Sequence, residues 1–369
     1  MILQRSDQRS ALRPAQVFTT CASLARAQRA DGMVPWAPGQ HADPWNHVEA
    51  AMALTVGGFG DEAAAAYRWL AGVQHDDGSW CTYYLPFVPG GIEDDRRDTN
   101  VCAYVATGLL HHLRATGDRG FAVELWPTVE RAVDFVVRHQ QADGALTWSV
   151  QPDGTFEPAG PLGRTALLTG SASAYHSLRC AVALAERLDR ERPDWELAAG
   201  RLATAVAFRE DELFEPKWPW AMDWYYPVLC GAVGGEAGRA RLRQGWSRFV
   251  TEGLGVRCID DHPWYTGAET AECALAHAVV GLRDEARALL HWAARLRRPD
   301  GGYWTGTVEP AGQTFPHDER STYTAAAVVL ADDCLYGTGP ASGIFRGEGL
   351  PAGLDLDLAA IAEAELDRE

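Results

Sequence analysis

The densest run of chemistry-bearing side chains in the 369 residues is Asp94-Asp95-Arg96-Arg97-Asp98-Thr99. Asp94 and Asp98 are four residues apart, so on a helix the two carboxylates share a face and could hold one hard cation; Mg2+ is the one cofactor this spacing suggests. At a helix start the same aspartates would favour the positive end of the dipole, and Arg96 and Arg97 could instead clamp a phosphate. A second pair, Glu269 and Glu272, lies three apart among Ala and Thr. Two carboxylates buried together repel, which raises one pKa and makes a general acid. Asp95, Asp98, Asp223, Glu269 and Glu272 are the candidate catalytic groups.

Other polar and aromatic residues gather in short clusters: His41, Asp43, Trp45, His47 and Glu49; Arg97 and Asn100; Tyr175 and His176; Trp224 and Tyr225; Asp261, His262 and Trp264; His317 and Glu319. These are candidate substrate-binding residues. Pro44 suits the first helical turn and makes Asp43 a plausible cap. Each cluster stands at the head of an Ala-rich run that is apolar nearly all round, and six such runs alternate with amphipathic segments such as 194–208 and 238–250. Six inner and six outer helices predict an all-α fold, a single (α/α)6 toroid with the polar inner-helix starts converging on one mouth. The toroid is expected over 15–340, between an N-terminal segment (1–14) and an acidic tail (341–369). No run reads as a sheet strand; 80–88 reads as a loop or short hairpin crossing the mouth, and 151–170 as another loop.

Self-comparison shows a repeat. Segments 24–36, 67–80, 135–148 and 291–304 each carry an amphipathic helix, Gln (Arg297 in the last), Asp-Gly and then Trp. The Gly ends the helix in a left-handed conformation. With Trp69, Leu70, Gln74, Gly78 and Trp80, and with Arg131, Ala132, Phe135, Gln140, Gly144 and a displaced Trp148, the pattern resembles the QW repeat of the terpenoid cyclase and protein prenyltransferase superfamily. The chain looks like squalene-cyclase-like proteins labelled prenyltransferase, over roughly residues 15–345. That resemblance implies acid- or cation-assisted chemistry on an isoprenoid at the toroid mouth. Against the cyclase run DxDDT, Asp95, Asp98 and Thr99 match, with Arg97 where the proton donor should stand. The zinc pattern of protein prenyltransferases fails, since Asp98 and Cys102 are four apart rather than two.

Lys plus Arg is 33 and Asp plus Glu 50, a net charge of -17 that repels phosphate backbones and disfavours nucleic-acid binding. No transmembrane segment or secretory leader is apparent, so a cytoplasmic protein acting on a small molecule is expected. The eight cysteines stand singly and suit helix cores. Fourteen tryptophans could wall a cavity for carbocations or for sugar rings. The resemblance favours the isoprenoid. The alternative is a six-hairpin carbohydrate-active enzyme using paired carboxylates as acid and base, which suits the polar mouth; a non-catalytic scaffold would not need acids at the helix starts.

Overall fold

The computed structural model describes residues 10–353, apart from 89 and 218. Its helices are α1 (Pro14–Ala27), α2 (Pro44–Val56), α3 (Gly60–Gly72), α4 (Thr99–Ala103), α5 (Val105–Thr116), α6 (Arg119–Arg138), α7 (Leu168–Arg187), α8 (Pro193–Phe208), the short α9 (Glu210–Leu213), α10 (Ala221–Leu229), α11 (Gly235–Phe249), α12 (Gly267–Val279), α13 (Arg283–Ala294) and α14 (Thr322–Tyr336). Helix α2 packs on α5, α5 on α7, α7 on α10, α10 on α12, α12 on α14, and α14 back on α2. That closed ring, with α4 leading into α5, is the inner layer; α1, α3, α6, α8, α11 and α13 form the outer one. The fold is an (α/α)6 toroid.

Composition explains the layering. Residues 46–54 of α2 and 325–331 of α14 are buried without interruption, and both stretches are rich in alanine. An all-round apolar helix with small side chains can be approached from every side, as an inner position demands. On α13, Ala286, Leu289, Leu290 and Ala293 are buried while Asp284 and Glu285 are exposed, the single stripe of an outer helix.

The repeat turns out to be a brace between neighbouring outer helices. Gln28 Nε2 donates to the carbonyls of Gly32 in its own turn and Glu62 on α3. Gln74 does the same to Gly78 and Thr128 on α6, and Gln140 to Gly144 and Ala198 on α8. Each of these glycines has a positive φ (99°, 94° and 95°), and a Cβ there would fall 2.1 to 2.7 Å from a carbonyl oxygen of the next outer helix. Only Gly permits both the turn and the approach. Arg297, in place of Gln, reaches the Thr19 and Thr20 hydroxyls of α1 and ties the last hairpin to the first.

The expectation of no sheet is corrected. Strands β1 (Tyr83–Tyr84) and β2 (Ile92–Asp94) form a hairpin, and β3 (Arg97–Asp98) pairs with β4 (Ser149–Val150). The strands β5 (Val250–Thr251), β6 (Gly255–Arg257), β7 (Trp264–Thr266), β8 (Gly306–Val308) and β9 (Gln313–Phe315) make a five-stranded antiparallel sheet. Strands of two or three residues are too short for alternation to show in sequence. Because β7 runs directly into α12, the sheet sits at the mouth.

The boundary at 340 is also too early. Ile344 and Phe345 are buried in the common core, Arg179 donates to the Pro351 carbonyl, and Arg114 to those of Glu348 and Gly349. The expected tail beyond residue 353, and residues 1–9 of the N-terminal segment, lie outside the described residues. Among the described residues no helix is long and apolar enough to cross a membrane, and all eight cysteines are buried and unpaired.

Candidate active site

Three aspartates at the starts of inner helices open on one cavity of about 590 Å³. Asp98 is the N-cap of α4: its Oδ1 accepts the N–H groups of Asn100 (2.9 Å) and Val101 (3.2 Å). The β3–β4 pairing sets Asp98 opposite Ser149, which brings the Trp148 indole N–H to 2.6 Å from Asp98 Oδ2. One edge of Asp98 stays open to the cavity, yet protein crowds the rest. Burial pushes its carboxyl up to about 6, against the pull of the hydrogen bonds from Val101, Trp148 and Asn100, and negative charge on Asp43 adds to the rise.

Asp43 caps α2, as Pro44 suggested, accepting Asn46 N–H (2.9 Å) and the Asn46 amide Nδ2 (2.5 Å). Asp223, on the first turn of α10, accepts the Thr169 hydroxyl (2.7 Å) and the Lys217 backbone N–H (3.2 Å). Burial raises both carboxyls, and the hydrogen bonds oppose it. Aromatic rings line the space between: Trp36, Trp45, Trp148 and Trp220, with the His41 ring tilted against Tyr83, centroids 4.2 Å apart. Asn46 Oδ1, Asn100 Oδ1 and Trp45 Nε1 are buried at this cavity and make no hydrogen bond with the described residues. Two acceptors and a donor beside apolar ring faces suit a guest carrying hydroxyls on an apolar frame.

Below Trp45, which packs against Tyr104, Tyr226 and Tyr323, lies a different carboxylate site. Glu272 accepts the hydroxyls of Tyr225 (2.5 Å), Tyr226 (2.8 Å) and Tyr323 (2.6 Å), and Glu49 accepts that of Tyr104 (2.9 Å). Burial pushes Glu272 up to about 7 and Glu49 well up as well, the latter further raised by Glu272. Neither lines the main cavity. Glu269, one turn nearer the mouth, is half-buried; burial raises its carboxyl against a hydrogen bond with Thr266, and its charge is felt by Tyr225 and Tyr323.

The structure therefore divides the residues singled out from sequence. Asp98, Asp223, Asp43, His41, Trp45 and Asn100 meet at the cavity. His47 does not: it accepts from Val34 N–H and donates to the Ala66 carbonyl, and burial holds it down at about 4. Tyr175 and His176 sit deeper on α7, packed by Arg179 and Phe345. Trp224 turns outward, its indole N–H on the Arg241 carbonyl and its ring on Phe249. Asp261 holds His262, which packs at a tilt on Trp264, itself stacked on Phe315 in the rim sheet, and His317 is exposed. Glu319 orients Trp36 through its indole N–H (2.9 Å).

The DDRRD run is not a helix but a strand and a cap. Asp94 grips Arg96, Asp95 is exposed, and Arg97 is on β3. Asp94 and Asp98 thus share no helical face, and among the described residues no group of three His, Cys, Asp or Glu is arranged to hold a metal. Sequence reading missed Trp36 and Trp148, seen there only as repeat residues, as well as Tyr83, Trp220, Thr169 and Lys217. The signal was present for the first two: Trp80, the equivalent repeat tryptophan, is buried on the Leu70 carbonyl, whereas Trp36 and Trp148 follow longer turns that carry them to the mouth.

No protein-family model matches the chain. It is 49% identical over 346 residues to an MMP endo-(1,4)-3-O-methyl-alpha-D-mannosidase of Mycolicibacterium hassiacum, covering 93% of this chain and 92% of that protein. The chain belongs to that mannosidase family. The toroid is also similar to a solved glycosidase (TM-score 0.68, 14% identity, 87% of this chain and 97% of the other) and to the cellobiose 2-epimerase of Spirochaeta thermophila (TM-score 0.59, 14% identity, 86% and 96%), likenesses of fold. The terpenoid cyclase and prenyltransferase resemblance is overturned by this kinship, and the isoprenoid reading with it; the family is one of glycoside-hydrolase type. The QW-like pattern misled because it records how outer helices are braced, which any closed helical toroid of this kind must solve.

Proposed function

We propose that the protein is an endo-acting hydrolase of a 3-O-methylated α-(1,4)-mannoside chain, with Asp98 as proton donor and Asp43 as the second carboxylate. The observation that carries this is Asp98: a carboxyl open to an aromatic cavity, held by Trp148 and two backbone N–H groups, and raised to about 6. A protonated Asp98 gives its proton to the glycosidic oxygen as the C–O bond breaks. Asp43, beside it and oriented by Asn46, supports the developing positive charge at the anomeric carbon or activates the water that attacks there. Water supplies the hydroxyl to that carbon, and Asp98 is reprotonated from the water's remaining proton. The 49% identical mannosidase supports the substrate class.

The lining supports the methyl group. Trp36, Trp45, Trp148, Trp220, Leu167 and Met222 offer apolar surface where an ether methyl can be buried, and about 0.8 kcal/mol per buried carbon corresponds to roughly fourfold in kcat/KM for each methyl seated. A second placement of the partner carboxylate is Glu269, favoured by its half-buried position one turn into α12. The test is a product-length profile on α-(1,4)-mannose oligomers with and without 3-O-methyl groups. Internal cleavage with preference for the methylated series is expected; release of single terminal sugars, or no cleavage of either series, would overturn the proposal.

A further inference from the structure

Lys217 is the single lysine in a chain whose other cationic side chains, among 33 Lys plus Arg, are all arginine. Among the described residues, arginines make exposed and half-buried ion pairs, as in Arg96–Asp94 and Arg241–Glu210, and Lys217 makes none. It stands on the segment between α9 and α10, half-buried, where it lines the 590 Å³ cavity and also a second cavity of about 400 Å³. Asp223 lines both as well, tied to Lys217 through the backbone N–H. The second cavity has an apolar floor of Trp224 and Phe249 and polar walls that include Arg241 and Gln244. Its far side is built rather than loose: Glu215, buried, accepts the N–H groups of Leu162 (2.9 Å) and Arg164 (3.2 Å).

An internal cleavage needs chain on both sides of the broken bond. Lys217 and Asp223 line both cavities, a donor and an acceptor side by side, which is the pairing that a sugar's neighbouring oxygens satisfy. An ammonium is also a compact donor on a slender stem, whereas a guanidinium is a wide planar fork, and a junction between cavities favours the former.

We propose that Lys217 is a specificity-determining residue: its ammonium donates to oxygens of the mannose residue that crosses from the main cavity into the second one, so that the second cavity holds outlying sugars of the chain. This rests on the proposed function. Because the chain has one lysine, reductive methylation with formaldehyde and cyanoborohydride labels a single side chain, read by mass spectrometry of the peptide that contains it. With Asp98→Asn, a ten-unit 3-O-methylmannose oligomer should slow Lys217 labelling about tenfold, and a three-unit oligomer should slow it much less. Lys217→Met should reduce the kcat/KM preference for the ten-unit over the three-unit oligomer about tenfold, with Lys217→Arg recovering part of it. Undiminished labelling under a ten-unit oligomer that is nonetheless bound, as shown by a melting shift, would overturn this inference and leave the hydrolase reading standing. Absence of both binding and cleavage in the wild type would remove the hydrolase reading and this inference together.

Discussion

The mouth and the axis of the toroid hold carboxylates only a few residues apart on the same helices, yet in different settings. Asp43 and Glu49 both belong to α2 and its cap, and Glu269 and Glu272 both to α12. At the mouth, Asp43, Asp98 and Asp223 are fixed by one, three and two neighbours respectively and keep an edge towards a cavity. On the axis, Glu272 is enclosed by three tyrosine hydroxyls, and Glu49 faces it behind Trp45. All are raised by burial, so a raised pKa does not by itself distinguish chemistry from architecture. Access for a substrate does.

The sharpest way to break this contrast is to exchange single atoms on each side of it. Asp98→Asn should cut hydrolysis about a hundredfold or more, roughly 2.7 kcal/mol or above, with little change in melting temperature. Asp43→Asn should follow it if Asp43 is the partner, and Glu269→Gln if the alternative placement holds. Glu272→Gln should leave turnover of the folded enzyme within a few-fold; a loss equal to that of Asp98→Asn in steady-state kinetics would show that the axis takes part in catalysis.

Stability should reverse that order. Glu272→Ala leaves three buried tyrosine hydroxyls without their acceptor, each worth about 1 kcal/mol or more, so a loss of about 3 kcal/mol in urea unfolding is expected, against about 1 kcal/mol for Asp98→Asn. Equal losses would erase the distinction.

The two regions should also differ in pH dependence. As the proposed proton donor Asp98 has to carry a proton, so kcat/KM should fall as pH rises through about 6. Trp148→Phe removes a hydrogen bond that favours the carboxylate, and should move that limb upward with a several-fold change in rate. For the axis the readout is stability: Glu272, raised to about 7, keeps its proton in the folded state when the unfolded chain has lost it. Its contribution is complete below the ordinary carboxyl pKa and is lost as pH rises through about 7. His47, at about 4, and the buried His111 and His176, each at about 3, act in the opposite sense, losing stability as pH falls below the ordinary histidine value. The comparison is therefore wild type minus Glu272→Gln, whose difference in unfolding free energy should slope between pH 4.5 and 7; a flat difference would contradict the assignment.

The smallest expected effect tests the repeat. Gln74→Ala removes two hydrogen bonds that join α3 to α6, and should cost about 1–2 kcal/mol with no change in kcat. A large loss of activity would mean that the braces also set the mouth.

Much of this was legible in the amino-acid order, because it depends on local pattern. Alanine-rich runs apolar on all sides can only be inner helices, one-faced runs can only be outer ones, and Asp-Pro or Asp-Thr before such a run marks a helix start. Six of each specify the closed toroid, and the starts of α2, α4 and α10 place Asp43, Asp98 and Asp223 at one end. What needed the tertiary structure was the direction of each side chain across gaps of tens of residues. A two-residue strand pairing turns Trp148 onto Asp98, and Arg241 on α11 draws Trp224 away from the mouth. The same holds for Glu272, three residues from Glu269 in the chain and separated from the cavity by Trp45 and its tyrosines. Helical spacing sets which residues share a face; only the packing of six helices around an axis decides which of them meet a substrate and which meet one another.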